Sequence, residues 1–261
     1  MRIPDGSLTP LYPQRDKGGS DRGIVVIGVG GLGAAAATEL AASGIARLGL
    51  VDGDRVELSN LHRQLLHAPS EVTRPKAEVA AEKLRALFPQ VEIEVRVERL
   101  TAQNAEQILE GYHLAVDATD NAAAKFAMND ACVERGMPLV HAGVIGFSGQ
   151  VLTIVPHRTA CLRCLFPEPP EDDEVASCSQ AGILGPIAAL VGTLEAREAL
   201  AFVAGREVRS AGRLLTFDAR ALRMREIPLR RSTTCPACGS FSTVLRSDGG
   251  VADYAGFKET R

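Results

Sequence analysis

The sequence predicts an α/β protein on one continuous, mixed and mostly parallel sheet, and three observations carry that expectation. Residues 24–28 read Ile-Val-Val-Ile-Gly, a β-branched run of the kind buried on both faces of a parallel sheet. A glycine turn and an alanine-rich helical pattern come directly after it, giving strand, turn, helix. Further strand patterns recur to about residue 155 with no linker between them, so no second independent sheet is expected. Together they describe a Rossmann-like nucleotide-binding fold.

Each element then has its own reason. The turn reads Gly28-Val29-Gly30-Gly31-Leu32-Gly33, and Gly28, Gly30, Gly31 and Gly33 are the expected phosphate-approaching positions. Glycines bring backbone N–H groups close to a phosphate, and the helix beginning there adds its positive end. A second strand, 48–51, ends in Asp52, 19 residues past Gly33, where an acid can hold a ribose diol. A glycine turn without a ligand is the plain alternative.

The segment after this strand is unlike a hydride-transferring site. From Asp52 at the ribose position onward, Asp54, Ser59, Asn60, His62, Arg63 and Gln64 crowd polar groups around Leu61. Arginine's planar, always charged fork matches phosphate oxygens. An ordinary solvated loop is the competing reading. Residues 75–87 read as a helix with Pro75 at its first position and Ala80, Leu84 and Leu87 at helical spacing. Lys76 then sits at the positive end of the dipole, a conflict that a bound phosphate removes; otherwise it points into water. Residues 91–97 alternate apolar and charged, as in a half-buried edge strand. The strand 114–117 runs into a polar turn where Asp120 is the expected Mg²⁺ carboxylate and Asp117 the structural alternative.

The second half reads as strands 139–144 and 150–155, then a proline-broken acidic run, 167–174, expected to be a mobile crossover loop. Cys178 ends that loop just before a Pro-initiated helix, an exposed position that favours thiolate chemistry, unless it is a spare thiol. The helix 186–204 carries Ile187, Leu190, Val191, Leu194 and Leu200 on an expected packing face. Cys132 lies in an alanine-rich stretch and reads as a small core residue.

Cys161, Cys164, Cys235 and Cys238 form two Cys-x-x-Cys pairs, 71 residues apart from Cys164 to Cys235. Four thiolates suit a structural zinc site that would pin a distant segment to the body of the fold. Two redox pairs are the alternative.

Composition narrows the function classes. The 261 residues hold 29 Lys+Arg against 32 Asp+Glu and 4% aromatics, which argues against nucleic-acid partners. The most apolar stretch, 183–194, is too short to span a bilayer, and residues 1–10 have no apolar signal region. A cytoplasmic chain with no membrane partner is expected.

With these residues assembled, the sequence resembles the E1-like activating family of sulfur-carrier adenylyltransferases, the ThiF, MoeB and HesA type. The resemblance rests on GVGGLG, VDGDRVELSNLHRQ, RPK, DATDN, CLRC, CSQAGILGP and CPAC, in that order over residues 24–239. It implies an ATP-dependent adenylyltransferase acting with Mg²⁺ and Zn²⁺. The C-terminal glycine of a small ubiquitin-like sulfur carrier ending in Gly-Gly would become an acyl-adenylate, in molybdopterin or thiamine biosynthesis. A separate sulfur donor, a cysteine desulfurase or rhodanese-like protein, and a homodimer are implied partners.

By the same resemblance, Gly31 approaches the nucleotide, Asp52 holds the ribose, and Ser59 through Arg63 line the adenylate site with Gln64 alongside. His62 receives no individual role. Arg63, Lys76, Asp120 and Cys178 are the catalytic set, Asn121 serves the nucleotide with Asp120, and the paired cysteines bind zinc. The chain departs from the family's Arg-Tyr-x-Arg-Gln opening: Leu11-Tyr12-Pro13-Gln14-Arg15 stands nearest, making Arg15 the candidate for an arginine supplied across a dimer. The implied organisation is a lead-in (1–22), one adenylation domain (23–245, divided near 137), and a tail (246–261). A NAD-dependent oxidoreductase and a noncatalytic carrier-binding scaffold are the alternatives. The related tRNA threonylcarbamoyladenosine dehydratases would not be expected to carry both cysteine pairs.

Overall fold

The computed structural model describes residues 23–170 and 182–239. Arg15, Cys178, residues 171–174 of the acidic run and the tail 246–261 lie outside the described residues.

The buried Ile24, Val25, Val26 and Ile27 form β1 (Gly23–Ile27), the centre of an eight-stranded sheet of order β3-β2-β1-β4-β5-β6-β7-β8. Its neighbours β2 (Arg47–Val51) and β4 (Tyr112–Asp117) run parallel to it, as do β3 (Glu92–Arg96) beside β2 and β5 (Leu139–Ile145) beside β4. Strands β6 (Ser148–Ile154), β7 (Arg213–Asp218) and β8 (Arg223–Pro228) continue it antiparallel. The mixed, mostly parallel sheet is therefore as the sequence predicts, with β3 at one edge.

The strand order reverses direction between β1 and β4, so the crevice above their carboxyl ends is the topological switch point where ligands bind in such sheets. Helices cover both faces. On one lie α1 (Gly31–Ala42), α2 (Lys76–Leu87) and the helix Gly185–Val203, here α6. On the other lie α3 (Ala105–Leu109), α4 (Ala122–Arg135), the short α5 (Leu162–Leu165) and three of the paired cysteines, Cys161, Cys235 and Cys238. Cys132 is buried in α4 within that second core, as expected.

Three local expectations change. Pro75 caps α2 from outside rather than opening it, and Lys76 is the first helical residue. Leu87 is exposed, while Leu84 in the same last turn carries the buried face of α2. Leu190 is also exposed, while the buried face of α6 includes Ala188, Gly192, Ala196 and two glutamates, Glu195 and Glu198. Small residues dominate there because α6 packs tightly on α1: a Cβ on Gly192 would overlap the Leu32 carbonyl oxygen.

Burying two glutamates demands an explanation, and only one has its partners in place. Glu198 Oε2 accepts hydrogen bonds from the backbone N–H and the hydroxyl of Ser210, both at 2.7 Å, which ties α6 to the chain entering β7. Both oxygens of Glu195 lack a partner among the described residues. Burial raises its pKa well above the usual carboxylate value, reinforced by the charge of Asp117 and opposed by Lys125.

Candidate active site

The glycine turn is held by contacts that side chains would break. Gly28 has φ +88°, and a Cβ there would stand 2.7 Å from the Ala118 carbonyl oxygen of the β4–α4 turn. A Cβ on Gly33 would overlap the Gly28 carbonyl oxygen, so Gly33 lets α1 start directly against the turn. Gly31 packs between Arg63 and Ala188, with a would-be Cβ 3.1 Å from each. At Gly30 the nearest such neighbour is Gln64 Nε2 at 3.6 Å.

Asp52 stands at the end of β2 and binds this turn, its Oδ2 accepting the Val29 N–H at 2.7 Å and Oδ1 the Asp54 N–H at 2.8 Å. Burial raises its pKa, offset by the Lys76 charge and these two hydrogen bonds. Lys76 is only 6% exposed. Its Nζ donates to Asp54 Oδ2 at 3.1 Å, so Asp54 supplies the counter-charge at the helix start. Asp54 Oδ1 receives Nη2 of Arg99 at 2.7 Å. Partial burial alone would raise the pKa of Asp54, but Lys76 and Arg99 together lower it. Arg99 is a residue that sequence reasoning missed, since in Val-Glu-Arg-Leu it looks like the solvent face of an edge strand.

The segment from Ser59 to Gln64 folds as a short helical turn beginning at Leu58, then crosses to α6. Arg63 Nη2 donates to Asn60 Oδ1 at 2.8 Å, and Asn60 Nδ2 in turn donates to Glu57 at 3.3 Å, beside the Ser59 hydroxyl. His62 is exposed, with Nδ1 2.9 Å from the Ser59 carbonyl, and Leu61 is half-buried. Gln64 is buried beside Gly30, and its Oε1 has no partner among the described residues. His67, also unforeseen, donates from Nε2 to the Val29 carbonyl at 3.1 Å and leaves buried Nδ1 unpartnered. Burial pushes its pKa down, so the ring is neutral. Buried polar atoms are nearly always satisfied, so an unpartnered atom on each of two side chains that touch the glycine turn through their other polar atom suits a site that takes a polar ligand.

Across the crevice, Asp120 and Asn121 are exposed. The Asn121 side chain accepts the Ala124 N–H at 2.8 Å and so caps α4. Asp117 is fully buried, binding Thr119, His141 and Lys125, which leaves Asp120 as the accessible carboxylate of that turn.

The four paired cysteines converge, as expected, with all four Sγ atoms within 4.8 Å of one another. Sγ–Sγ distances of 3.4, 3.6 and 4.0 Å match the ~3.8 Å edge of a tetrahedron with Zn–S bonds of about 2.3 Å. Backbone N–H groups of Ser232 and Cys238 point at Cys164 and Cys235. Arg231 braces the knuckle against the carbonyls of Cys238 and His157. The donor set fits Zn²⁺, and it ties the segment after β8 to α5.

Residues 19–237 match the model of the ThiF family. The chain is 43% identical over 257 residues to the sulfur carrier protein adenylyltransferase of Thermus thermophilus, covering 95% of this chain and 93% of that one. It is 42% identical over 236 residues to the adenylyltransferase and sulfurtransferase MOCS3 of Anopheles gambiae, where 90% of this chain covers 52% of the relative. The chain thus spans about half of that longer protein. In fold it is similar to the crystal structure of E. coli MccB with ATP, at a TM-score of 0.75 and 21% identity, covering 83% of this chain and 67% of that one.

Proposed function

The chain belongs to the ThiF family, and from that premise we propose that it is an ATP-dependent adenylyltransferase activating the C-terminal glycine of a small ubiquitin-like sulfur carrier. The observation that carries the reading is the convergence of buried Lys76, Asp54 and Asp52 on the glycine turn, within the same crevice as Asp120. An oxygen of the glycine carboxylate attacks the α-phosphorus of ATP, the bond to the bridging oxygen breaks, and pyrophosphate leaves. A carboxylate nucleophile has no proton to lose, so the residues act by positioning and charge neutralisation.

In this reading Gly28, Gly30, Gly31 and Gly33 admit the phosphates, Asp52 holds the ribose, and Lys76 and Arg63 neutralise the triphosphate. Gln64 and the turn from Ser59 to His62 line the adenylate, and Asn121 holds the α4 turn beside it. Asp120 would hold Mg²⁺, which supplies charge neutralisation at the departing pyrophosphate. Zn²⁺ on Cys161, Cys164, Cys235 and Cys238 would be structural. Cys178 is assigned to sulfur exchange, the thiocarboxylate sulfur to a separate donor, and the working form to a cytoplasmic homodimer. Among the described residues no helix is long and apolar enough to cross a membrane.

The NAD-linked alternative gives Lys76 and Arg63 no task, and a noncatalytic scaffold gives none to the cluster as a whole. ATP–pyrophosphate exchange with carriers ending in Gly-Gly tests the proposal. Carrier-dependent exchange is expected; no exchange with any carrier, together with tight NAD binding, would overturn it.

A further inference from the structure

The carboxyl ends of four neighbouring strands line the crevice in the order β3, β2, β1, β4. Above β1 lies the glycine turn, above β2 Asp52, and above β4 the Asp120 turn. If phosphates lie over β1 and the ribose over β2, the base extends towards β3. The residue presented there is Arg99, three positions past the strand's end at Arg96.

Arg99 is built into this place. Asn104 clamps its loop, donating from Nδ2 to the Arg99 carbonyl at 2.9 Å and to Glu98 at 3.1 Å, while its Oδ1 accepts the Thr101 N–H at 2.7 Å. Gly53, between Asp52 and Asp54, lies so close that a Cβ on it would stand 2.6 Å from Arg99 Cγ and 2.8 Å from Arg99 N. One edge of the guanidinium is fixed on Asp54 Oδ1 at 2.7 Å. The side chain is nonetheless 80% exposed. An exposed ion pair of this kind contributes little to folding. A planar cation held by one edge and largely exposed, beside the carboxyl ends of β2 and β3, is an arrangement suited to stacking on an aromatic base.

We infer that Arg99 binds the adenine of the nucleotide, stacking its guanidinium on the base while Asp54 holds it in place. The inference deepens the ATP reading above and rests on it. Asp54 then has two tasks, orienting Lys76 towards the phosphates and Arg99 towards the base.

The test is equilibrium binding of Mg-ATP and of Mg-tripolyphosphate to the wild-type protein and to R99A and R99K. R99A is expected to weaken ATP roughly tenfold and leave tripolyphosphate within about twofold, with R99K as weak as R99A because an ammonium has no plane to stack. ATP affinity unchanged in R99A would overturn the inference. Equal losses for both ligands would move Arg99 to the phosphates, and wild-type affinity in R99K would remove the stacking; either result defeats it. Wild-type protein that binds ATP but supports no pyrophosphate exchange with any carrier would defeat the proposed reaction and leave the Arg99 result standing.

Discussion

Nδ1 of His141 donates a 2.7 Å hydrogen bond to Oδ2 of Asp117, across two parallel strands whose register sets the residues side by side. The same oxygen takes Lys125 Nζ at 3.4 Å, and Oδ1 takes the Thr119 hydroxyl at 2.6 Å and its N–H at 3.1 Å. Asp117 thus fastens α4, β5 and the turn carrying Asp120 to one buried carboxylate. Burial alone would raise its pKa, but Lys125, His141 and Thr119 hold it far below the usual range. Asp117→Asn leaves Lys125 without its buried counter-charge and is expected to cost about 3 kcal/mol in urea unfolding, within the range for breaking a buried pair. A loss under about 1 kcal/mol would mean that the network relaxes around the amide.

Acid should unfold the protein in two stages. His141 and His67 are buried and held neutral, with pKa values lowered chiefly by burial. A group depressed in the folded state lets the unfolded chain bind protons first. Stability is therefore full above the unfolded histidine value of about 6.5 and declines as pH falls below it. Asp117, also depressed, adds a second loss below about pH 4. Melting temperatures between pH 8 and 3 check this in Glu195→Gln protein, where the opposing titration of that buried carboxyl is removed, and a flat profile from pH 7 to 5 there would contradict the neutral assignment.

Glu195 has the opposite sign. A carboxyl raised in the folded state contributes fully below its unfolded value, about 4.3, and its contribution is lost as pH rises towards the folded value. The charges that act on it are Asp117 of β4, which raises its pKa further, and Lys125 of α4, which lowers it. Glu195→Gln keeps the shape and removes the titration, so it should melt about 3 °C or more above wild type at pH 8. The two should converge near pH 4, and an equal difference at both values would exclude titration as the cause.

These buried ionisable groups are where the sequence was least legible, and the reason is physical. The turn from Gly28 to Gly33 and the cysteine pairs are local patterns whose spacing carries their chemistry. Lys76 was readable as a charge at a helix start, but not as buried, because its partner Asp54 belongs to a different element. Glu195 comes after Leu194 and reads as the polar end of an apolar stretch. It is buried because α6 packs against both α1 and the sheet, which leaves little of that helix turned outward. Arg99 has an alternating pattern around it that fits an exposed edge strand equally well; only its meeting with Asp54 gives it a place in the crevice.

Metal removal should act on one part of the chain. Cys235 and Cys238 lie after the exposed β8, and their partners Cys161 and Cys164 lie at α5. About one zinc per chain is expected, and Cys235→Ser should abolish retention and lower the melting temperature. Hydrogen exchange should rise first in residues 229–239, where Arg231 braces the knuckle. Binding requires thiolates, so retention should also weaken as pH falls. Zinc well below one per chain in protein purified without chelator would count against the site.

Asp120 and Asp117 sit three residues apart and should separate completely in experiment. Asp120 is exposed and its turn is held by others, by Asp117 from below and by Asn121 capping α4. Asp120→Asn should leave the melting temperature within about 1 °C of wild type, as surface changes usually do. If Asp120 holds Mg²⁺ at the departing pyrophosphate, the same change should slow ATP–pyrophosphate exchange by about a hundredfold or more, the scale seen when a preorganised electrostatic contact is removed. Lys76→Ala should bring a comparable loss, because no other described cation is buried against Asp52 and Asp54. Asp117→Asn should instead lower stability and slow exchange only as far as the turn loosens, so that lowering the temperature restores part of its rate. An Asp120→Asn enzyme that exchanges at the wild-type rate would transfer the metal role elsewhere, and a destabilised one would show that the carboxylate serves the fold.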